Sequence, residues 1–272
     1  MPAHAPWLLG VDFSSAPTPR KPITLARGRR HGDVLVLERV DACASLGAFA
    51  AQLLEPGPWL GAFDLPFGLP RELIQTLRWP TAWPALMQHV RALGRDELRA
   101  QLRAFCAARP AGAKFARRAC EGPAGSSPAM KWVNPPVALM LHAGVPLLLD
   151  AGVHLPRLHD GDRQRVALEG YPGLLARELI GARSYKADAR ARQTETRRLA
   201  RAELVDALQR GRTRLGLRLC LAPAQRIELI DDASGDRLDA VLCLMQAAWA
   251  DGRPRWGLPA HVDPLEGWIV SA

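Results

Sequence analysis

The sequence predicts an α/β protein with a mixed five-stranded sheet in the order β-β-β-α-β-α and a large helical insertion between the fourth and fifth strands. Short apolar runs bounded by turn residues indicate buried strands, and apolar residues three and four positions apart indicate helices. A helix-length segment separates the third run from the fourth, as a parallel crossover requires. The 272 residues, 48% hydrophobic and 23% charged, are expected to form a single domain over 1–272.

The first part of the chain supplies four predicted strands and one helix. The apolar run at 7–13 contains Gly-Val-Asp and leads into a polar turn, and a second turn at 30–32 joins the next two strands into a hairpin. Ser45 is suited to cap the helix that follows. The predicted elements are strands at 7–13, 23–29, 33–40 and 59–63 and a helix at 46–54.

The remainder of the chain is predicted to be mainly helical. Residues 71–164 form the insertion, with a basic helix, a Gly/Pro/Ser loop at 122–128 and an apolar helix. A fifth strand and a series of helices follow. The predicted elements are helices at 97–108, 135–149, 173–180, 188–210 and 237–250, a strand at 165–169 and a short edge strand at 268–270.

Positive charge is concentrated in two segments. The chain has 36 Lys and Arg against 27 Asp and Glu, a net charge of +9, and only four of its cations are lysines. Residues 91–118 and 190–218 each carry a net charge of +6, which leaves the rest of the chain at −3. Such segments indicate a polyanionic partner, and nucleic acid, DNA or RNA, is the expected one. Two solvated helix faces are the alternative.

Several classes of protein lack support in the sequence. Five widely spaced cysteines without C-x-x-C, and seven histidines without H-x-x-H, argue against a zinc site. No P-loop is present, and no dinucleotide-binding glycine motif follows a strand. No signal peptide or membrane span is visible. We therefore expect a cytoplasmic protein with no membrane association and no dedicated protein partner.

Acidic residues fall where predicted strands end. Asp12 ends the first strand, Asp64 follows the fourth and Glu169 ends the fifth. If these strands are parallel, their carboxyl ends share the edge of the sheet at which open α/β folds bind ligands. Carboxylates this close repel one another, so the group requires a cation or shared protons. We predict that all three are catalytic residues and metal ligands.

Two further acids begin the last apolar helix. Asp236 and Asp239 are three residues apart and so share a face of that helix. Helix capping is the simpler interpretation for Asp236, whereas Asp239 lies one turn inside, next to core positions, and is predicted to be catalytic. Both are predicted metal ligands. Oxygen ligands favour Mg²⁺ or Mn²⁺, and two such ions about 4 Å apart would support phosphodiester hydrolysis.

Four cations are candidates for binding substrate phosphates. Lys186 follows a glycine turn, and Lys131 follows the Gly/Pro/Ser loop. Arg117 and Arg118 stand at the end of the first basic segment. Ammonium and guanidinium groups both bind phosphate oxygens, but an exposed surface position without a ligand is the alternative interpretation for each of them.

Four motifs resemble a known family when taken in order. They are Gly-Val-Asp-Phe at 10–13, Phe-Asp-Leu-Pro-Phe-Gly-Leu-Pro at 63–70, Glu-Gly-Tyr-Pro at 169–172 and Asp-Arg-Leu-Asp-Ala at 236–240. Together they resemble the bacterial family of predicted nucleases known as domain of unknown function four-two-nine. The resemblance extends over nearly the whole chain, and the second motif is the most specific part of it.

The resemblance implies a ribonuclease H-like fold and a metal-dependent nuclease. In that superfamily the acids on the first strand, the fourth strand and the last helix would correspond to Asp12, Asp64 and Asp239, with Asp236 in support. Glu169 matches the acid of an element found in the narrower family. The acid on the first helix of ribonuclease H has no counterpart here, because the segment 45–54 contains no acid.

Two other functions remain open from the sequence. The superfamily also contains actin-like ATPases, and the segment 12–15 could serve as a phosphate loop in a related nucleotide-binding protein. Such proteins usually have longer chains. The third possibility is a module that binds nucleic acid without catalysis, whose affinity would depend on salt but not on Mg²⁺.

Overall fold

The computed structural model describes residues 6–272 and contains a mixed sheet of seven strands in the order β5-β6-β4-β1-β2-β3-β7. Strand β2 is antiparallel to both β1 and β3, whereas the pairs β1–β4, β4–β6, β5–β6 and β3–β7 are parallel. The strands are β1 (Trp7–Asp12), β2 (Ile23–His31), β3 (Val34–Cys43), β4 (Trp59–Asp64), β5 (Val153–His154), β6 (Asp162–Glu169) and β7 (Arg218–Cys220).

Helices cover both faces of this sheet. Alternating residues of each strand point to opposite faces, so each strand contributes to two apolar layers. One layer joins Leu9 and Phe63 to α1 and the insertion, and the other joins Leu8 and Ala62 to α7–α10. The helices are α1 (Leu46–Leu53), α2 (Arg71–Thr76), α3 (Trp83–Ala92), α4 (Arg95–Ala107), α5 (Glu121–Ala124), α6 (Val137–Asp150), α7 (Pro172–Ile180), α8 (Glu195–Gln209), α9 (Pro223–Asp231) and α10 (Asp236–Asp251).

The α/β class is confirmed, but the predicted number of five strands is wrong. The five predicted strands are present, and β5 and β7 extend the sheet at its two edges. These added strands have two and three residues, too few to show the alternation of apolar and polar residues that reveals a strand. The predicted strand at 268–270 is reduced to a single parallel bridge between Ile269 and Glu169.

The insertion and the second basic segment differ from expectation in their details. Residues 71–164 contain the five helices α2–α6, strand β5 and the first three residues of β6. The long helix predicted over 188–210 is divided, because a short 3₁₀ turn at Arg190–Arg192 precedes α8. Thr194 caps α8 by accepting a hydrogen bond from the Arg197 N–H, which fixes where that helix begins. Within residues 6–272, no helix combines the length and apolarity that crossing a membrane demands.

Gly10 sets how closely the last helix approaches the sheet. A Cβ atom at this position would lie 2.0 Å from the Ala240 carbonyl oxygen and 2.1 Å from the Leu244 backbone nitrogen. Only a residue without a side chain permits this contact between β1 and α10. The N-terminal turn of α10 is thereby held against the end of β1, two residues from Asp12.

Candidate carboxylate site in a basic cleft

Asp12 and Asp64 are neighbours because of strand register. In the parallel pair β1–β4, Asp12 is aligned with Asp64, at the carboxyl end of each strand. Adjacent strands are about 4.8 Å apart, so aligned residues project side by side to the same face. That face is the one covered by α10. The convergence of these two acids, predicted from the sequence, is thus present in the structure.

The acids of α10 are not needed to cap their helix. Asp232 accepts hydrogen bonds from the N–H groups of Ser234 and Arg237, at 3.1 and 3.0 Å, and so satisfies the start of α10. Asp236 is therefore free to bind Lys21, whose Nζ lies 3.3 Å from its carboxylate. The capping interpretation of Asp236 does not describe this geometry.

Asp239 is the most deeply placed acid of the group, with no exposed surface. One of its oxygens accepts a hydrogen bond from the Tyr185 hydroxyl, and the other forms an ion pair with the Lys186 ammonium. Burial opposes the charge of Lys186, but Asp239 and Asp12 outweigh it and hold the pKa of that ammonium well above its usual range. The raised pKa favours the charged form of Lys186, which pairs with Asp239 at the boundary of the cleft.

The cluster contains more carboxylates than cations. Lys186 pairs with Asp239 and Lys21 with Asp236, whereas Asp12 and Asp64 have no ion-pair partner of their own among the described residues. Loss of hydration, followed by repulsion from Asp239, raises the pKa of Asp12 well above its usual value. Loss of hydration, opposed by Lys186, raises the pKa of Asp64 to about 7. Burial also raises the pKa of Asp236, although Lys21 opposes the shift. We refer to Asp12, Asp64, Asp236 and Asp239 as the acidic floor.

Glu169 lies on the other face of the sheet. It is aligned with Phe63 of β4, one residue before Asp64, and the alternation of strand side chains therefore sends the two acids in opposite directions. Both Glu169 oxygens bind the Arg118 guanidinium, at 2.5 and 2.8 Å, and one also accepts the Phe67 N–H at 2.9 Å. Both Glu169 oxygens are thus engaged by protein groups, although Glu169 also lines the cleft described below, and its role as catalyst and metal ligand stays a prediction.

Arg118 is likewise engaged in the interior. Its side chain is 2% exposed and binds Glu169, Glu121 and the Glu266 carbonyl oxygen. Its guanidinium is thus paired within the protein at the edge of the cleft, and its role in binding a substrate phosphate stays a prediction. We refer to Arg118, Glu121 and Glu169 as the buried ion network, and it joins the insertion to the end of β6.

A cleft of about 1390 Å³ opens above the acidic floor. Its walls include all four predicted phosphate-binding residues, Lys186, Lys131, Arg117 and Arg118. The chain has only four lysines and two tyrosines, and all six line this cleft. They are Lys21, Lys114, Lys131, Lys186, Tyr171 and Tyr185.

Only one of the two basic segments reaches the cleft. The end of the first segment contributes Lys114, Arg117 and Arg118 to its lining. The described residues of the second segment, 190–218, lie elsewhere, and Arg198 and Arg218 of that segment pair with acids outside the cleft. The two basic segments therefore do not line the cleft together.

Lys21 and Tyr185 are site residues that the sequence analysis missed. Both contact the acids of α10 directly. The available signal was rarity, because lysine and tyrosine are scarce in a chain that otherwise relies on arginine. Sequence patterns relate residues that are close along the chain. Lys21 lies in a turn before β2 and Tyr185 in a loop before α8, whereas the acids that they contact are in α10.

The acidic floor fits a divalent cation in its chemistry but is not a preformed cage. Within residues 6–272, no three or more His, Cys, Asp or Glu side chains are grouped closely enough to hold a metal ion. The donors are hard carboxylate oxygens, of the kind that Mg²⁺ and Mn²⁺ prefer. Burial, with repulsion between neighbouring carboxylates, raises the pKa of Asp12 and of Asp64, and a bound cation would oppose both effects. The Lys186 ammonium supplies part of the positive charge that these carboxylates require, through its ion pair with Asp239.

Comparison of the chain with protein-family models, with curated proteins and with solved structures returns no match. The resemblance to the predicted-nuclease family therefore depends on the four sequence motifs, and functional inference depends on the geometry of the site.

Proposed function

We propose that this protein is a metal-dependent phosphodiesterase that hydrolyses nucleic acid, with a ribonuclease H-like arrangement of its sheet and last helix. One observation carries the proposal. Two strand-end carboxylates lie in register, beside two acids of the closest helix, at the floor of a cleft lined by all four lysines of the chain. Acids at the centre and cations around them suit a polyanionic substrate and a divalent metal.

Asp12 and Asp64 would supply the first ligands to Mg²⁺ or Mn²⁺, and Asp236 would join them only after its side chain moves, because no three acids of the described residues are grouped closely enough as they stand. Asp239 is held in place by Tyr185. A bound divalent cation supplies activation of water and stabilisation of charge on the leaving oxygen. The protein contributes positioning. The register of β1 and β4 fixes the first two donors, and the close contact at Gly10 fixes the helix that carries the others.

The lysines of the cleft would orient the substrate. Lys186 and Lys21 each bind an acid of the floor and extend into the cleft, where a phosphate could replace part of those contacts. Lysine presents a compact charge with three donors, which suits a phosphate that must shift during the reaction. These two lysines would therefore orient a phosphodiester next to the acidic floor once a bound metal offsets the charge of the carboxylates.

A cleavage assay tests the proposal. Purified protein is incubated with fluorescently labelled single-stranded DNA, duplex DNA and RNA, in Mg²⁺, in Mn²⁺ and in chelator. Cleavage that requires metal is expected, and Asp12→Asn or Asp64→Asn should reduce it by at least about 100-fold, as loss of a catalytic group does. Asp96→Asn, a matched change at an exposed acid on α4 outside the cleft, should have no effect.

The assay also contains outcomes that would overturn the proposal. Full activity of the wild-type protein in chelator, or of Asp12→Asn in Mg²⁺, would exclude the acidic floor as a metal-dependent catalyst. Nucleotide hydrolysis without cleavage of any nucleic acid would favour the phosphate-handling alternative. Binding of nucleic acid that is indifferent to metal, with no hydrolysis, would identify a binding module.

A further inference from the structure

The helical insertion forms one wall of the cleft, which the proposed chemistry does not use. We call Lys114, Phe115, Arg117, Lys131 and Trp132 the insertion wall. The first four line the cleft, and Trp132 contacts Phe115, with ring centroids 5.7 Å apart and an interplanar angle of 49°. Two lysine–aromatic pairs, 114–115 and 131–132, distant in sequence, are thus brought together beside the acidic floor.

The cations of the insertion wall have no carboxylate partners among the described residues. Lys131 donates to the Asn134 carbonyl oxygen at 2.6 Å, Arg117 donates to the Ser126 carbonyl oxygen at 3.2 Å, and Lys114 is exposed. Their charges therefore remain available to a ligand. The cations of the same basic segment that do pair with carboxylates, and that lie outside the cleft, are Arg91, Arg99 and Arg109.

We propose that the insertion wall binds a single strand of nucleic acid, with an unpaired base against Phe115 and backbone phosphates on Lys114 and Lys131. This inference rests on the proposed function for the class of substrate, and it adds the form of that substrate. Proteins that bind single strands combine a cationic groove with aromatic rings on which bases stack. A duplex keeps its bases stacked inside and exposes only their edges, so an aromatic wall offers it little.

The dimensions of the cleft and a second aromatic ring in its lining agree with such a ligand. About 1390 Å³ exceeds the roughly 300–1,000 Å³ of a typical small-molecule pocket. Tyr171 lines the cleft as a second, half-buried aromatic ring, and the Arg177 guanidinium lies 5.7 Å from its centroid. The acidic floor lines the same cleft and repels phosphate in the absence of metal, so the cations and aromatic rings of the walls must supply the affinity.

Binding without cleavage separates this inference from the proposed function. Fluorescence anisotropy is measured in chelator with a labelled single strand of about 12 nucleotides, a length typical of single-strand sites, and with the same sequence in a blunt duplex. The single strand is expected to bind at least about 10-fold more tightly than the duplex. Phe115→Ala should weaken single-strand binding about 10-fold, whereas Phe115→Trp should retain it.

The lysines are tested through the salt dependence of the same binding. Lys114→Ala and Lys131→Ala should each reduce the slope of log affinity against log salt by about 0.7, the value for one phosphate contact on a single strand. Arg103→Ala is the matched control, because Arg103 is exposed on α4 in the same basic segment but lies outside the cleft. It should leave both affinity and slope unchanged.

The inference is overturned if the duplex binds as tightly as the single strand, if neither binds, or if Phe115→Ala retains full affinity while its melting temperature matches that of the wild type. If the protein prefers single strands but cleaves no nucleic acid, the proposed hydrolysis is wrong and single-strand binding by the insertion wall is supported. If the protein cleaves duplexes in a metal-dependent manner and shows no preference for single strands, the proposed hydrolysis is supported and single-strand binding by the insertion wall is wrong.

Discussion

The structure contains two groups of buried acids, on opposite faces of the same sheet edge, and they differ in how their charge is balanced. In the buried ion network, Glu169 is bound by a guanidinium through both of its oxygens. In the acidic floor, two lysines serve four carboxylates. Removing one partner of a fully paired buried group leaves an uncompensated charge and destabilises the fold, whereas an excess of acid at the base of a cleft is typical of a functional site, as proposed above for the acidic floor.

The largest expected effect comes from breaking the buried ion network. Glu169→Ala leaves the Arg118 guanidinium buried without its main partner, and we expect a loss of about 3–5 kcal/mol in the free energy of unfolding. Chemical denaturation measures it. Asp12→Asn, the matched removal of a charge from the acidic floor, should not destabilise the protein. Equal losses in the two variants would erase the distinction between the two groups.

The next effect concerns the approach of α10 to the sheet. Gly10→Ala places a methyl group about 2 Å from backbone atoms of α10, which cannot move aside as a flexible side chain can. We expect a loss of about 3 kcal/mol, at the upper end of the usual cost of overpacking. Gly47→Ala on α1 is the control, because a Cβ there meets nothing closer than 4.0 Å. Similar melting temperatures for the two variants would contradict the close contact.

A smaller effect is expected from pH, measured in chelator. The pKa of Asp64 rises to about 7 on folding, so the folded state holds a proton that the unfolded state releases near pH 4. Stability therefore falls as pH rises from about 4 through about 7, and the penalty is complete above that range. Asp64→Asn should remove it and gain about 1–2 kcal/mol near pH 8, a value reduced because the side chain is partly exposed.

The comparison of Asp64→Asn with the wild type by denaturation at a series of pH values measures this effect. The gain should shrink as pH falls and vanish below about pH 4, where Asp64 is protonated in both states. A constant difference at every pH, or a destabilised variant near pH 8, would show that the acidic floor is already neutralised.

The smallest effect tests how Asp239 is held. Tyr185→Phe removes the hydroxyl that donates to Asp239 and leaves the ring in its apolar surroundings. We expect a loss of about 1 kcal/mol, the usual contribution of one hydrogen bond, visible as a small shift in melting temperature. A loss several times larger would show that Asp239, like Glu169, mainly stabilises the fold.

Much of this fold was predictable from the sequence. The apolar runs that end at Asp12 and Asp64 locate two strands, and the spacing of apolar residues locates α10. The strands β5 and β7 were not predictable, because two or three residues carry no periodic pattern. The proposed metal and nucleic-acid substrate stay predictions for the cleavage assay.

The sequence by itself determined which acids end strands and begin the last helix, and it determined that lysine and tyrosine are rare. Only the tertiary structure decided which acids meet. A register in which Glu169 faces Phe63 sends that side chain away from Asp64, because strand side chains alternate with a period of two. Local sequence patterns do not reveal that Glu169 aligns with Phe63 rather than with Asp64, because register arises from the pairing of strands about a hundred residues apart. The same folding gathers all four lysines around one cleft.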